Sequence, residues 1–152
     1  MSNPLLENFD TPFESAPFSK IKTEHFIPAL KHSIDLALDE IDTVVKNTAT
    51  PSFENTLEAM ERSGELLQRV LRYFYNLVSA HTNDALDELN RTIGPQLSRH
   101  QSRLSMSDAI FARIDALYQK RDELGLSHEQ LRMIEKKNKH YDRAGVQQQK
   151  DK

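Results

Sequence analysis

Phe53, Leu57, Met60, Gly64, Leu67, Leu71, Phe74 and Val78 follow one another at alternating steps of four and three. That spacing is an a/d seam of almost four heptads, and it commits the stretch to a helix that buries one face against other helices. Pro51 and Ser52 open the helix, and Glu54 suits the positive end of its dipole. Leu66, Val70, Tyr73 and Leu77 add a second stripe, so the helix is expected to be central and contacted on two sides. Gly64 lies in the seam, where a mid-helix glycine costs roughly 0.5–1 kcal/mol relative to alanine. Close approach of a neighbouring backbone is the expected compensation. Nothing in the seam asks for a ligand; core packing accounts for it.

The flanking sequence is also helical. Phe26, Leu30, Ile34, Leu38, Ile41 and Val45 mark one face of a helix from about Thr23 to Asn47. Thr23 is its expected N-cap, with Pro28 as an alternative start. A third helix spans about Asn83 to Leu104, carrying Leu86, Leu89, Ile93, Leu97, His100 and Leu104. Gly94-Pro95 interrupts it, which predicts a kink or a division into two shorter helices. Ser107 caps a fourth, bearing Ile110, Phe111, Ile114, Leu117 and Tyr118 and stopping near Gly125. The fifth opens on a capping box, Ser127-His128-Glu129-Gln130, and continues through Leu131, Ile134 and Tyr141 to Gly145. No alternating apolar run suggests a strand.

The expected fold is therefore all-α: an antiparallel bundle of about five helices over residues 23–145. An extended arm, 1–22, precedes it, in which Pro4, Pro12 and Pro17 interleave with Phe9, Phe13 and Phe18. Residues 146–152, rich in glutamine and lysine, form a tail expected to fray.

Several function classes are disfavoured at once. The net charge is −3 and no basic stripe is visible, so nucleic acid is not an expected partner. No apolar run approaches the ~18–20 residues that cross a bilayer, so no membrane association is expected. The chain has no cysteine, which excludes disulfides and thiolate metal sites and fits the cytosol without excluding the periplasm. The opening MSNPLLENFD has no basic segment followed by an apolar run, so no signal peptide is expected and the expected location is cytoplasmic.

Candidate chemistry is sparse. His128-Glu129-Gln130-Leu131-Arg132 begins like a zinc-peptidase helix, but that motif needs a second histidine where Arg132 stands. No two of the six histidines (His25, His32, His81, His100, His128 and His140) are three or four residues apart, so no helix offers a ready pair of ligands. His100, on an apolar stripe, reads as a satisfied and partly buried histidine, and His32 beside Asp35 as a solvated pair. Asp39, Glu40 and Asp42 crowd one turn without the sheltered site a catalytic dyad requires. Lys136, Lys137 and Lys139 read as a solvated basic face. No catalytic, cofactor-binding or metal-binding residue is assigned.

A family resemblance runs through these segments. Asn3-Pro4-Leu5-Leu6, Thr23-Glu24-His25-Phe26-Ile27-Pro28-Ala29, Phe53-Glu54-Asn55-Thr56 with Glu61-Arg62-Ser63-Gly64, and Phe74-Tyr75-Asn76-Leu77 occur in that order. The Asn83-Asp84 step and Pro95, then Phe111-Ala112-Arg113-Ile114, Leu117-Tyr118 and Arg143-Ala144-Gly145, follow. Together they resemble the N-terminal portion of the thimet-oligopeptidase-like zinc metallopeptidases, above all the bacterial peptidyl-dipeptidase and oligopeptidase A branches. The resemblance implies a much longer, mostly helical enzyme whose N-terminal part walls a channel admitting short peptides. It places the zinc-binding HExxH helix in a C-terminal catalytic portion, which is the expected partner, with short peptides as substrates. Zinc is thus expected only for the intact enzyme, with no cofactor in this chain, and the chain alone is expected to be an inactive fragment. Lys137-Asn138-Lys139-His140 and Gln147 to Gln149 depart from the family's pattern. The alternative is a stand-alone helical interaction or peptide-binding module without catalysis.

Overall fold

The computed structural model describes residues 3–7, 19–80 and 83–150, with side chains as far as residue 145. Phe9, Phe13 and Phe18 of the arm lie outside the described residues, as do His81 and the final two residues. Among the described residues the protein is all-α. Its long helices are α1 (Phe26–Lys46), α3 (Glu65–Ala80), α4 (Asp84–Ser105), α5 (Asp108–Gln119) and α6 (His128–Lys150). A short helix, α2 (Ala59–Arg62), follows a wide π-type turn over Phe53–Glu58.

The chain folds as two compact units. The first comprises the described residues up to Asp39 together with Gly64–Leu97; the second comprises Glu40–Ser63 and the chain from Ser98 onward. Both α1 and α4 therefore give residues to each unit.

The core of the first unit is apolar. Leu5, Phe26, Ala29, Leu30, Leu67, Val70, Phe74, Leu86, Leu89 and Ile93 are buried together. Phe26 and Phe74 meet edge to face at 5.3 Å between ring centroids, a favoured aromatic geometry. The face of α1 that is buried here is carried by Phe26, Ala29, Leu30, Ser33 and Ala37, while Ile34 and Leu38 are only half-buried. Small residues thus turn inward where the sequence periodicity places larger ones, and the Ser33 hydroxyl is satisfied by donating to the Leu30 carbonyl at 3.0 Å. Asn3–Glu7 is not extended: the Leu6 N–H bonds the Asn3 carbonyl at 2.9 Å and Leu5 is fully buried.

Thr23 does not cap α1. It lies in a 3-10 turn, Thr23–His25, that follows an extended Lys22 (φ −113°, ψ 158°). The Lys22 N–H is taken up by His25 Nδ1 at 2.9 Å, so a histidine ring fills the reciprocal role that a glutamate or glutamine has in a capping box.

The seam from Phe53 to Val78 is not one helix. Ser63 is extended (ψ 124°) and Gly64 adopts φ +87°, which breaks the helix between α2 and α3. Phe53, Leu57 and Met60 belong to the second core, whereas Leu67, Leu71, Phe74 and Val78 belong to the first. Gly64 is needed for its backbone conformation and not for close approach. A Cβ there would meet Ala37 Cβ at 3.7 Å, an ordinary contact, but the left-handed φ disfavours any side chain.

Gly94-Pro95 does not divide its helix: α4 runs unbroken from Asp84 to Ser105 with Pro95 inside. Buried Ile93 and half-buried Leu97 hold the two flanks in one core, and packing outweighs the local helix penalty of proline. Asn83 caps α4, its Oδ1 accepting from the Leu86 N–H at 2.9 Å. Ser107 caps α5 through the Ile110 N–H at 3.3 Å. The Ser127–Gln130 box forms in both directions, at 3.0 and 3.2 Å. Gly125 is left-handed, with φ +61°. The backbone of α6 stays helical beyond Gly145 to Lys150.

Candidate functional site

The densest polar arrangement lies in the second unit, where two segments of the family resemblance meet. Ser52 is extended and accepts the Asn55 N–H at 3.0 Å, while Asn55 Oδ1 accepts the Ser52 N–H at 2.7 Å. Asn55 Nδ2 reaches back to the Thr50 carbonyl at 2.9 Å. This reciprocal cap fixes the entry to the π-type turn and lets Phe53, Thr56 and Leu57 all be buried. The Arg113 guanidinium, carried on α5, closes the arrangement. One Nη donates to the Asn47 carbonyl at 2.8 Å; the other reaches Asn55 Oδ1 at 3.3 Å and Thr56 Oγ1 at 3.4 Å. The Arg113 Nε is buried without a hydrogen-bond partner. The apolar core of the same unit is made by Ile41, Phe53, Leu57, Ile110, Ile114, Leu117, Ile134 and Tyr141.

Chemically this is a fastener. Its groups are amide, hydroxyl and guanidinium, with neither a base nor a nucleophile paired to one. It joins Phe53-Glu54-Asn55-Thr56 to Phe111-Ala112-Arg113-Ile114: Asn55 and Arg113 are two halves of one hydrogen-bonded unit. Sequence reasoning quoted both segments without linking them. A buried-face asparagine next to a helix start was the available signal.

The other singled-out residues stay dispersed. His128 and Glu129 are exposed at the start of α6, beside the capping box. His32 and Asp35 are exposed on α1, and Asp42 pairs with Lys46 one turn on. Among the described residues, no three histidine, aspartate or glutamate side chains gather closely enough to hold a metal ion. Likewise, no described helix is long and apolar enough to cross a membrane. His100 departs from expectation. It is buried, yet its Nδ1 has no hydrogen-bond partner. Burial lowers its pKa from the ordinary value, and the nearby Arg103 charge lowers it further.

One hollow, of about 380 Å³, is lined by Glu61, Met133, Lys136, Lys137 and His140. Met133, Lys136, Lys137 and His140 share one face of α6, and Glu61 arrives from the last turn of α2. The basic run thus borders a recess where the sequence suggested only a solvated face.

No protein-family model matches the chain. It is 37% identical over 146 residues to the dipeptidyl carboxypeptidase of Salmonella typhimurium, a match that covers 96% of this chain and 22% of that protein. It is 29% identical over 111 residues to oligopeptidase A of Escherichia coli, covering 73% of this chain and 16% of that protein. It is 27% identical over 154 aligned positions to a probable cytosolic oligopeptidase A of Arabidopsis thaliana, covering 99% of this chain and 21% of that protein. The chain therefore spans about a fifth or less of the length of these relatives. It is a homologue of the dipeptidyl carboxypeptidases and oligopeptidases A, and it resembles an N-terminal portion of those enzymes.

Proposed function

We propose that this chain supplies the N-terminal helical part of a zinc-dependent oligopeptidase or peptidyl-dipeptidase that cleaves short peptides. Catalysis in that enzyme depends on a zinc site that these 152 residues do not provide, and the chain alone does not hydrolyse peptides. The reading is carried by one observation: 37% identity sustained over 96% of the chain to a dipeptidyl carboxypeptidase of which it spans only 22%. The sequence supports it further. The motif that would bind zinc and activate water needs two histidines flanking a glutamate on one helix face, and at His128-Glu129 the second position is Arg132. The partner of this part is the catalytic portion of the same enzyme, and its place of work is the cytoplasm, in keeping with the cytosolic Arabidopsis relative.

The test is hydrolysis of a chromogenic dipeptidyl substrate by the purified chain, with and without added zinc. The proposal expects no zinc-dependent turnover. Turnover that a chelator abolishes would overturn it.

A further inference from the structure

Residues 3–6 form a turn that is complete in itself. Pro4 follows Asn3, and its fixed φ favours a turn at that position. The Leu6 N–H bonds the Asn3 carbonyl at 2.9 Å, and the Leu5 N–H bonds Asn3 Oδ1 at 3.0 Å. The rest of the first unit meets this turn from positions far along the chain. Asn3 Nδ2 donates to the His25 carbonyl at 2.8 Å, 22 positions on. Arg69, on α3, donates to the Leu5 carbonyl at 3.3 Å across 64 positions. The Leu5 side chain is fully buried in the core that also holds Phe26, Ala29, Leu67 and Val70. Leu6 packs partly buried against the same core, and Glu7 is exposed.

We propose that the first unit carries a socket that reads an Asn-Pro-Leu-Leu turn. The chain fills it with its own residues 3–6, and the same segment supplied in trans takes their place. Each part of the segment has one task. The Leu5 side chain supplies apolar burial. The Asn3 amide reads the His25 carbonyl, and Arg69 reads the backbone at Leu5. Pro4 and the bond from the Leu5 N–H to Asn3 Oδ1 hold the turn before it docks, which lowers the entropy cost of binding. A segment docked in cis works at an effective concentration on the order of millimolar. Staying docked at that concentration requires a Kd in trans below it, so a free peptide can occupy the socket once the chain's own segment no longer fills it.

The test is an amide-resolved NMR titration of the full 152-residue protein carrying Leu5→Ala. The ligand is the end-blocked peptide Ser-Asn-Pro-Leu-Leu-Glu, which copies residues 2–7. The variant keeps its own segment but cannot fill the socket with it. Saturable shifts are expected at His25, Phe26 and Arg69, with a urea unfolding midpoint that rises with peptide concentration. The wild-type protein, whose socket is occupied, should bind the peptide at least about tenfold more weakly. Alanine in place of Leu5 in the peptide should abolish binding to the variant. Alanine in place of Asn3 should weaken it about tenfold, the scale of the hydrogen bonds that are lost. Three outcomes would overturn the proposal: no saturable shifts up to about 5 mM peptide, the peptide lacking Leu5 binding as tightly as the native one, or the wild-type protein binding as tightly as the variant. Circular dichroism checks that Leu5→Ala keeps its helices. Where it does not, Asn3→Ala, which leaves the core side chains in place, carries the same titration with the same overturning results.

Discussion

The two cores of this protein are fastened by different physics. In the first, Phe26, Leu30, Leu67, Val70, Phe74 and Ile93 hold one another by apolar burial; apart from the local Ser33–Leu30 bond, the polar contacts of Asn3 and Arg69 are only partly buried. There the Asn3 side chain donates to the His25 carbonyl at 2.8 Å, and Arg69 donates to the Leu5 carbonyl at 3.3 Å. In the second unit, comparable apolar residues form the core, and a half-buried hydrogen-bonded knot of Ser52, Asn55, Thr56 and Arg113 ties its elements together. An apolar core tolerates substitutions that conserve volume. A knot that includes a charge does not, because removing one member strands the others.

The largest effect should come from the apolar side. Phe74 is fully buried, and Phe74→Ala is expected to cost about 3–5 kcal/mol, read from the shift of a urea unfolding midpoint. Phe74→Leu should recover most of that. A conservative swap as damaging as the alanine would show that the first core depends on the specific edge-to-face pair with Phe26.

Arg113→Ala should cost about 1.5–3 kcal/mol, and here Arg113→Lys should rescue little, since an ammonium cannot span Asn47, Asn55 and Thr56 together. A double-mutant cycle with Asn55→Ala should give a strongly non-additive result. Additive losses would dissolve the knot as a unit, and with it the contrast between the cores.

Gly64→Ala should cost about 1–2 kcal/mol for the left-handed backbone alone. A stability gain would mean that the helix prefers to run through the break.

The smallest effect concerns pH. His100 is held below its ordinary value of 6.5 by burial first and by Arg103 second. Its neutral form is favoured in the fold, so its contribution is fully present above about pH 6.5 and is lost as pH falls below that value towards the folded pKa. Unfolding midpoints measured from about pH 8 down to pH 5 should decline, and His100→Leu should flatten this part of the decline. An unchanged slope would assign the decline to other groups.

Much of the first core can be read from periodicity. Leu67, Phe74, Leu86 and Ile93 all sit on the faces that helical spacing predicts, because burial there is the only demand on the sequence. Caps at Ser107 and Ser127 are equally legible, being local in the chain. Two things are not. The heptad continues through Ser63-Gly64 although the helix stops there, since spacing records which residues are buried and not whether they share one core. The Arg113 knot joins residues 58 positions apart, and no local pattern encodes that pairing. The hollow at Glu61 and Lys136 was hidden for the same reason: its lining comes from α2 and α6. A capping histidine at His25 was also invisible, because the extended Lys22 had to be seen first.

The proposal at the centre is that this chain is a working structural part of a peptidase. The direct measurement is a chimera in which it replaces the matching fifth of the Salmonella typhimurium dipeptidyl carboxypeptidase, assayed for dipeptide release. The account predicts a chimera that folds and cleaves, and one that loses activity with Arg113→Ala in step with its loss of stability. A folded chimera that releases no dipeptide would contradict it.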